Sequence, residues 1–175
     1  MLQKENRRIQ ITRRMLKDAL LEMLETERIE KISVRTLCEK ANVNRTTFYK
    51  YYISQYDLLN EMETELLSQI DQCVQAGEAM KCLEKKLAFM KENMKLCQIL
   101  IGNQTDTDFQ MRLLNLPNVK LELTRNLHSD KAEQKYVHEF IVNGAYAVIM
   151  RWLKDNCPET PERMAQIILK IVGNI

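Results

Sequence analysis

Side chains that can bind phosphates and base edges lie close together between residues 42 and 56, in the segment NVNRTTFYKYYISQY. The chain has six Tyr and four Phe residues, and half of them lie in this segment, next to Arg45 and Lys50. Guanidinium and ammonium groups pair with phosphates, whereas Thr and Tyr hydroxyls can also reach base edges. The segment therefore indicates either a surface that contacts nucleic acid or a small core with an exposed rim.

Three predicted helices surround these side chains. An apolar period of three to four residues predicts a first amphipathic helix over about residues 7–25. Ser33 is expected to cap a short second helix, because its hydroxyl can accept a hydrogen bond from an unpaired amide at the helix start. Asn42 tolerates the left-handed conformation that ends a helix, and Asn44 can cap a third helix over about residues 45–52. Short helices joined by such a tight turn predict a helix-turn-helix.

The third helix is expected to divide its side chains between a core and a contact surface. Phe48 and Tyr52 are predicted to face inward with Val43 and Leu37, since helical residues three or four apart share a face. The residues predicted to face outward are Thr46, Thr47, Lys50 and Tyr51, with Tyr49 near the boundary. Thr hydroxyls can discriminate between base pairs, whereas cations bind phosphates with little preference for one DNA sequence over another.

Composition and charge narrow the class of protein. The chain of 175 residues is 45% hydrophobic and has only four Gly and three Pro residues, which favours an all-α fold. Residues 1–60 hold 12 Lys and Arg against 8 Asp and Glu, whereas the rest holds 14 against 16, so a basic first part precedes a mildly acidic body. The arginines of the first helix are either an arm for the minor groove or a solvated face: Arg7, Arg8, Arg13 and Arg14.

Catalytic, metal and membrane functions find little support in the residue pattern. Five cysteines without a CxxC pair or nearby histidines predict buried free thiols rather than a metal site or disulfides. His128 and His138 are isolated, and no Gly-rich phosphate loop or activated nucleophile is found, so an enzyme is not expected. No apolar run approaches membrane-spanning length. We expect a cytoplasmic protein without a membrane partner, a metal or a cofactor.

Longer helices are predicted after Ser54. The pattern predicts a fourth helix up to a break at Gly77, and a fifth that ends near Asn93 and restarts. Short helices are expected near residues 109–114 and 119–127, a long helix over 131–154 and a last helix over 161–172. The prediction is an all-α fold of about nine helices, with a helix-turn-helix domain at residues 1–54 and a helical regulatory and dimerisation domain at residues 55–175.

Residues 12–59 resemble the DNA-binding domain of the TetR family of bacterial transcriptional regulators. The matching residues are Thr12, Ser33, Val34, Leu37, Ala41, Val43, Asn44, Thr47, Phe48, Tyr49, Ser54 and Leu58. The resemblance implies that the start of the second helix contacts phosphate and that the third helix enters the groove. Pattern and resemblance together predict these DNA-binding residues: Arg35, Thr36, Asn44, Arg45, Thr46, Thr47, Tyr49, Lys50 and Tyr51.

Three departures from the family pattern bear on function. Asn42 stands where Gly is usual, Tyr51 where His is common, and Gln55 where a phosphate-binding Lys is usual. The first interpretation is a dimeric regulator, a repressor of the TetR type, bound to a palindromic operator in double-stranded DNA. Because Gln55 removes a cationic contact, a second interpretation stays open: a TetR-like coactivator or nucleoid-associated protein that acts through a partner protein.

Residues 142–172 are similar to the end of the regulatory domain in a TetR subgroup found in Firmicutes. The resemblance implies that the last two helices of two chains pack together in a homodimer, although an internal helical hairpin explains the same residues. The predicted dimer-interface residues are Gly144, Ala145, Ile149, Leu153, Ile167, Ile168 and Ile171.

A small-molecule effector is a further candidate partner, because many relatives bury an inducer in this domain. Met side chains adapt to irregular shapes and suit such a pocket, but a Met stripe at helical spacing is more often part of a plain core. The predicted pocket residues are Met62, Leu66, Phe89, Met90, Met94, Met111 and Phe140.

Overall fold

A computed structural model describes residues 2–72, 79–102, 112–113 and 131–172. Within these ranges the regular secondary structure is helical, without strands. The α-helices are α1 (Leu2–Leu24), α2 (Val34–Lys40), α3 (Arg45–Phe48), α4 (Gln55–Gln72), α5 (Ala79–Glu92), α6 (Met94–Gly102), α7 (Lys131–Lys154) and α8 (Pro161–Val172). A 3-10 turn, Ile29–Lys31, precedes α2. The predicted all-α fold is confirmed.

The long helices begin and end close to where the sequence predicts. α7 and α8 coincide with the predicted helices, and the fifth predicted helix divides at Asn93 into α5 and α6 as expected. α1 begins at Leu2, ahead of the predicted start. The break expected at Gly77 and the two short helices expected between residues 109 and 127 lie outside the described residues, except that Arg112 and Leu113 are helical.

The chain divides into two compact units, Met1–Glu65 and Leu66–Ile175. The division falls inside α4, whereas the sequence predicts a domain boundary just before it. Ion pairs explain why the first half of α4 belongs to the first unit: the Lys17 ammonium of α1 lies 2.6 Å from a carboxylate oxygen of Glu61 and 2.6 Å from one of Glu65.

The first unit has an apolar core to which each of its helices contributes. Leu16, Leu20 and Leu24 repeat at four-residue steps along α1 and are buried, as the amphipathic pattern predicts. Leu37 of α2 and Phe48 of α3 have no exposed surface. Four residues form almost no stable helix alone, whereas fully burying a side chain of this size contributes about 1.5–3 kcal/mol. The core therefore holds α3 in place.

In the second unit α8 packs mainly against α5. Met164 and Ile168 lie on the buried face of α8. The loop between α7 and α8 is fixed by Lys91 of α5, whose ammonium donates hydrogen bonds to the carbonyls of Cys157 at 2.8 Å and Glu159 at 3.1 Å. These bonds satisfy two loop carbonyls and hold the start of α8 next to α5.

The cysteines of the described residues are buried and unoxidised: Cys38, Cys82, Cys97 and Cys157. Burial raises the pKa of the Cys97 thiol to about 12, and the nearby Cys157 thiol adds to the shift. Such a thiol is protonated at neutral pH and a poor nucleophile. Among the described residues no cluster of three His, Cys, Asp or Glu could hold a metal ion. None of the described helices is both long and apolar enough to cross a membrane.

Candidate nucleic-acid interface

Local hydrogen bonds shape the turn between α2 and α3. Ser33 Oγ accepts a hydrogen bond from the Thr36 amide at 3.1 Å, and Thr36 Oγ1 accepts one from the Ser33 amide at 3.2 Å, so a capping box starts α2. Asn42 has a left-handed φ of 51°. Asn44 Oδ1 accepts a hydrogen bond from the Thr46 amide at 2.8 Å. The two predicted caps and the predicted left-handed turn are confirmed.

α3 is shorter than predicted and ends at Phe48. Beyond it the chain tightens, because the Lys50 amide bonds to the Thr47 carbonyl (3.3 Å) and the Tyr51 amide to the Phe48 carbonyl (2.9 Å), each three residues back. The turn still carries Tyr52 inward, where its buried ring lies 5.5 Å from the Phe48 ring. The predicted inward pair is confirmed.

The outward side of this segment carries cations and hydroxyls. Four of its side chains are exposed and are named the reading face: Arg45, Thr46, Tyr49 and Lys50. Thr47 and Tyr51, which were also predicted to contact DNA, are half-buried. Asn44 is exposed, but its side-chain oxygen is used as the cap of α3.

Arg35 and Thr36, the two residues at the start of α2 that are predicted to contact DNA, are exposed and form local hydrogen bonds. The Thr36 hydroxyl donates to the Ser33 carbonyl at 2.9 Å. Arg35 Nε donates to Glu39 Oε1 at 2.9 Å, and this bond raises the pKa of Arg35. An ion pair between two exposed side chains contributes little, so a phosphate can replace Glu39 as the partner of Arg35.

An open cavity of about 370 Å³ lies between α2 and the turn before α3. Its lining residues are Arg35, Cys38, Glu39, Asn42, Val43, Asn44 and Arg45. Burial raises the pKa of the Cys38 thiol, and the positive charge of Arg45 opposes that shift only in part. The thiol is therefore protonated at neutral pH. The lining carries two arginines and one carboxylate, Glu39, which leaves one positive charge in excess and suits an anion.

Arg13 of α1, a candidate for a minor-groove arm, is engaged within the protein instead. Its Nε donates to Tyr52 Oη at 3.1 Å, and its Nη2 pairs with the Glu61 carboxylate. The bond with Tyr52 raises the pKa of Arg13. Burial raises the pKa of Glu61, but the bonds to Lys17 and Arg13 outweigh burial and lower it. Arg13 is therefore held by α4, whereas Arg7 and other arginines of α1 stay exposed.

Sequence reasoning missed this cluster, although a signal for it exists. Arg13 and Lys17 lie one helical turn apart on α1, and Glu61 and Glu65 lie one turn apart on α4. Two cations and two carboxylates with the same spacing are typical of helices that face each other. Nothing in the spacing, however, indicates that Tyr52 joins them.

The predicted interface residues of α7 and α8 fall into two groups. Ala145, Leu153 and Ile168 are buried within the protomer, and a side chain without exposed surface has no contact to offer a partner. They are core residues of this chain. The accessible members are Gly144, Ile149, Ile167 and Ile171.

The predicted pocket residues also differ in exposure. Met62, Leu66 and Met90 are buried, and Phe89 and Met94 are half-buried. Phe140 is 66% exposed and thus lies on the protein surface rather than in a closed pocket. Met111 lies outside the described residues.

Comparisons with known proteins cover both units. Residues 77–174 match the TetR_C_8 family, described as "Transcriptional regulator C-terminal region". The chain is also 20% identical over 173 residues to YxbF of Bacillus subtilis (strain 168), described as an uncharacterized HTH-type transcriptional regulator. That alignment covers 90% of this chain and 44% of the relative, so the chain spans less than half of the relative's length.

Solved structures share the fold. A TetR transcriptional regulator from Streptococcus agalactiae 2603V superposes with a TM-score of 0.82 at 22% identity, over 98% of this chain and 99% of that chain. The fatty acid degradation regulator FadR from Bacillus halodurans gives 0.64 at 14% identity, over 92% and 94%. The dihydroxyacetone kinase operon activator DhaS gives 0.57 at 16% identity, over 93% and 94%.

These proteins are regulators by name, and the helix-turn-helix geometry of the first unit accompanies a family match over the second. Since the family model covers more than half of the chain, the protein belongs to the TetR family of transcriptional regulators.

Proposed function

We propose that the protein recognises a DNA operator with its reading face and with the start of α2. The observation that carries this proposal is the division of side chains along α3 and the turn that follows it: Phe48 has no exposed surface, whereas the reading face is exposed. Arg45 and Lys50 supply cations for phosphates, and Thr46 supplies a hydroxyl and a methyl group that suit base edges. Arg35 adds a cation on the neighbouring helix.

The proposed active form is a homodimer. α3 has four residues and at about 1.5 Å per residue spans roughly 6 Å, which limits one copy to a few base pairs. A dimer reads two half-sites about 34–36 Å apart, so a palindromic operator supplies enough contacts for specific binding.

The outer face of α7, defined as Tyr136, Phe140, Gly144 and Ala147, supports a second copy as the partner. All four residues are exposed and follow one another at steps of three or four along the helix. A Cβ added at Gly144 would meet none of the residues that the structure describes within 4 Å, so the described part of the chain leaves the helix surface open there. Two rings followed by two small residues form a self-complementary stripe, because the rings of one copy can pack over the Gly and Ala of the other. Ile171 of α8 is a further exposed apolar residue.

Repression is the proposed effect, since a dimer on an operator blocks other proteins from that DNA. The second candidate is activation or coactivation through a partner protein. Gln55 favours this candidate, because the start of α4 lacks the cation that the family usually has there. The fold is also shared with DhaS, which is an operon activator by name.

An effector response is part of the proposal for the second unit. Leu66, Phe89, Met90 and Met94 are buried or half-buried apolar residues of that unit, and Met side chains repack easily around a small apolar ligand. Binding of such a ligand to the folded chain would raise its melting temperature in a thermal-shift screen. A screen of apolar metabolites that leaves the melting temperature unchanged would argue for a sealed core.

The test of DNA binding uses the purified full chain and a pool of random duplexes. We expect the chain to select a palindrome, to bind it as two copies, and to protect both half-sites in footprinting at a fixed salt concentration. Lys50→Ala should weaken this binding, whereas Lys154→Ala, the same change at an exposed lysine of α7, should not. If the chain alone selects no palindrome but does so with a partner protein, the coactivator candidate replaces the repressor.

A further inference from the structure

Tyr52 joins the reading segment to two other helices. Its ring is 4% exposed and lies 5.5 Å from the Phe48 ring, and its amide donates a hydrogen bond to the Phe48 carbonyl at 3.0 Å. Its hydroxyl accepts a hydrogen bond from Arg13 Nε of α1 at 3.1 Å and donates one to Glu61 Oε1 of α4 at 3.2 Å. One side chain therefore contacts α1, α3 and α4.

Three side chains donate to the Glu61 carboxylate: Arg13, Lys17 and Tyr52. The carboxylate pairs with Arg13 Nη2 and lies 2.6 Å from Lys17 Nζ, in addition to the bond from Tyr52. Lys17 reaches Glu65 as well, also at 2.6 Å. The cluster holds two cations and two carboxylates, so its charges balance and it adds no net attraction to DNA.

We propose that Tyr52 is a positioning residue for DNA recognition, because its hydroxyl, held by Arg13 and Glu61, fixes the orientation of the reading face. This inference rests on the proposed DNA binding. Packed rings resist separation but tolerate small rotations, whereas hydrogen bonds have narrow preferred lengths and angles. Tyr49 and Lys50 lie three and two residues before Tyr52, so a rotation there moves the reading face directly.

Specific and non-specific binding respond differently to such a rotation. A shift of a few tenths of an ångström spoils hydrogen bonds to base edges, which depend on geometry. The attraction of Arg45 and Lys50 to phosphates is long-ranged and survives the same shift. Loss of the Tyr52 hydroxyl therefore lowers the preference for the operator more than it lowers affinity for DNA in general.

The test compares Tyr52→Phe with the matched control Tyr56→Phe, which removes the hydroxyl of a tyrosine that is nearly half exposed on α4. The probes are a duplex that the unsubstituted full chain selects from a random pool and a scrambled duplex of equal length. Tyr52→Phe should lower affinity for the selected duplex about tenfold and leave affinity for the scrambled duplex unchanged. Tyr56→Phe should change neither affinity. An unchanged ratio of the two affinities in Tyr52→Phe overturns the proposal.

Glu61→Gln separates positioning from charge. Removing a carboxylate from the DNA-binding unit would, by charge alone, strengthen binding to both duplexes. The positioning role predicts a lower ratio of selected to scrambled affinity. The double variant with Tyr52→Phe should lose little more than the larger single loss, because both changes act on the same hydrogen bond: Phe lacks the donor, and the neutral amide of Gln is a weaker acceptor than a carboxylate. Additive losses would show that the two side chains act independently and would contradict the proposal.

Hydrogen exchange in the free chain distinguishes this inference from the proposed function. The Tyr51 and Tyr52 amides both donate to the Phe48 carbonyl, so their exchange should accelerate in Tyr52→Phe and stay unchanged in Tyr56→Phe. If the unsubstituted chain selects no duplex, the proposed function fails, and exchange alone then decides whether the hydroxyl orients this segment. Unchanged exchange at both amides overturns the positioning role.

Discussion

The reading face and the outer face of α7 are both exposed in the protomer, and their side chains differ in kind. The reading face has two cations, a Thr and a Tyr, whereas the outer face of α7 has two aromatic rings, a Gly and an Ala. Phosphates and base edges are recognised by charge and hydrogen bonds, and an identical chain is recognised mainly by apolar packing. Exposure is common to both surfaces, so the side-chain chemistry is what supports DNA as the proposed partner of the first and a second copy of the chain as the proposed partner of the second.

The two surfaces also differ in what supports them. α3 has four residues and depends on caps, buried rings and the Tyr52 contacts for its shape. α7 has 24 residues and a buried side that includes Ile141, Ala145 and Leu153. A small change near α3 should therefore alter function through orientation, whereas α7 tolerates changes on its outer face and fails only when its buried side is disturbed.

The largest effect is expected where a buried and an exposed isoleucine of α8 are compared. Ile168→Asp places a carboxylate in the apolar core and should cost more than about 4–5 kcal/mol, which unfolds the second unit. Ile171 is about half exposed, so Ile171→Asp should keep the fold and weaken self-association. Thermal unfolding and sedimentation equilibrium measure the two results. A full-strength dimer in Ile171→Asp would remove α8 from the proposed interface.

Adjacent rings in the first unit provide the next comparison. Phe48→Ala should destabilise the chain by about 3–5 kcal/mol, because it empties a fully buried site. Tyr49→Ala removes a ring that is about half exposed, so it should change unfolding little and DNA affinity more. Denaturant unfolding and a mobility-shift titration separate these effects. Equal destabilisation by both variants would mean that Tyr49 belongs to the core rather than to the reading face.

Within the reading face, substitutions at Thr46 and at Lys50 should have different effects on DNA binding. Thr46→Ala should cost about 1–3 kcal/mol against the selected duplex and relax the choice of one base pair. Lys50→Ala should weaken binding to all duplexes and reduce the slope of log affinity against log salt by about 1. Titrations at several salt concentrations measure both. A salt slope that Thr46→Ala lowers and Lys50→Ala leaves intact would reverse the assigned roles.

The helix that precedes the reading face, α2, can be destabilised at its N-cap, Ser33. Ser33→Ala removes the oxygen that accepts from the Thr36 amide and should cost about 1 kcal/mol of unfolding free energy. Ser33→Thr keeps a hydroxyl at the cap and serves as the control. Chemical denaturation of both variants gives the difference, and equal stability of Ser33→Ala and the unsubstituted chain would show that the capping box contributes nothing.

The smallest expected effect is a loss of stability at low pH that depends on Glu61. The bonds to Lys17 and Arg13 lower the pKa of Glu61 below its ordinary value of 4.5, against the effect of burial. A carboxylate whose pKa is lowered by folding contributes stability above the unfolded pKa and loses it as the pH falls through the folded pKa. The unsubstituted chain should therefore lose stability below pH 4.5 more steeply than Glu61→Gln. The free energy of unfolding by urea is measured for both proteins at several pH values below 4.5. An equal decrease with falling pH in the two proteins would contradict this prediction.

The helix-turn-helix was predictable because its determinants are local. Ser33, Asn42 and Asn44 act on backbone groups within a few residues of themselves, and their roles follow from residue type and order. The four-residue period of Leu16 and Leu20 likewise identifies the buried side of α1. Hydrogen bonds and apolar periods that span only a few residues can be predicted from the type and order of those residues.

The roles of single isoleucines and the partner of Arg13 were decided by tertiary structure. Ile168 and Ile171 are identical in type and lie on one helix, but only the packing of α8 on α5 buries the first and leaves the second exposed. The bond between Arg13 and Tyr52 joins residues 39 positions apart. The order of residues fixes what each side chain can bind; the angle and distance between packed helices decide which partner lies within about 3 Å, and that geometry depends on the whole core.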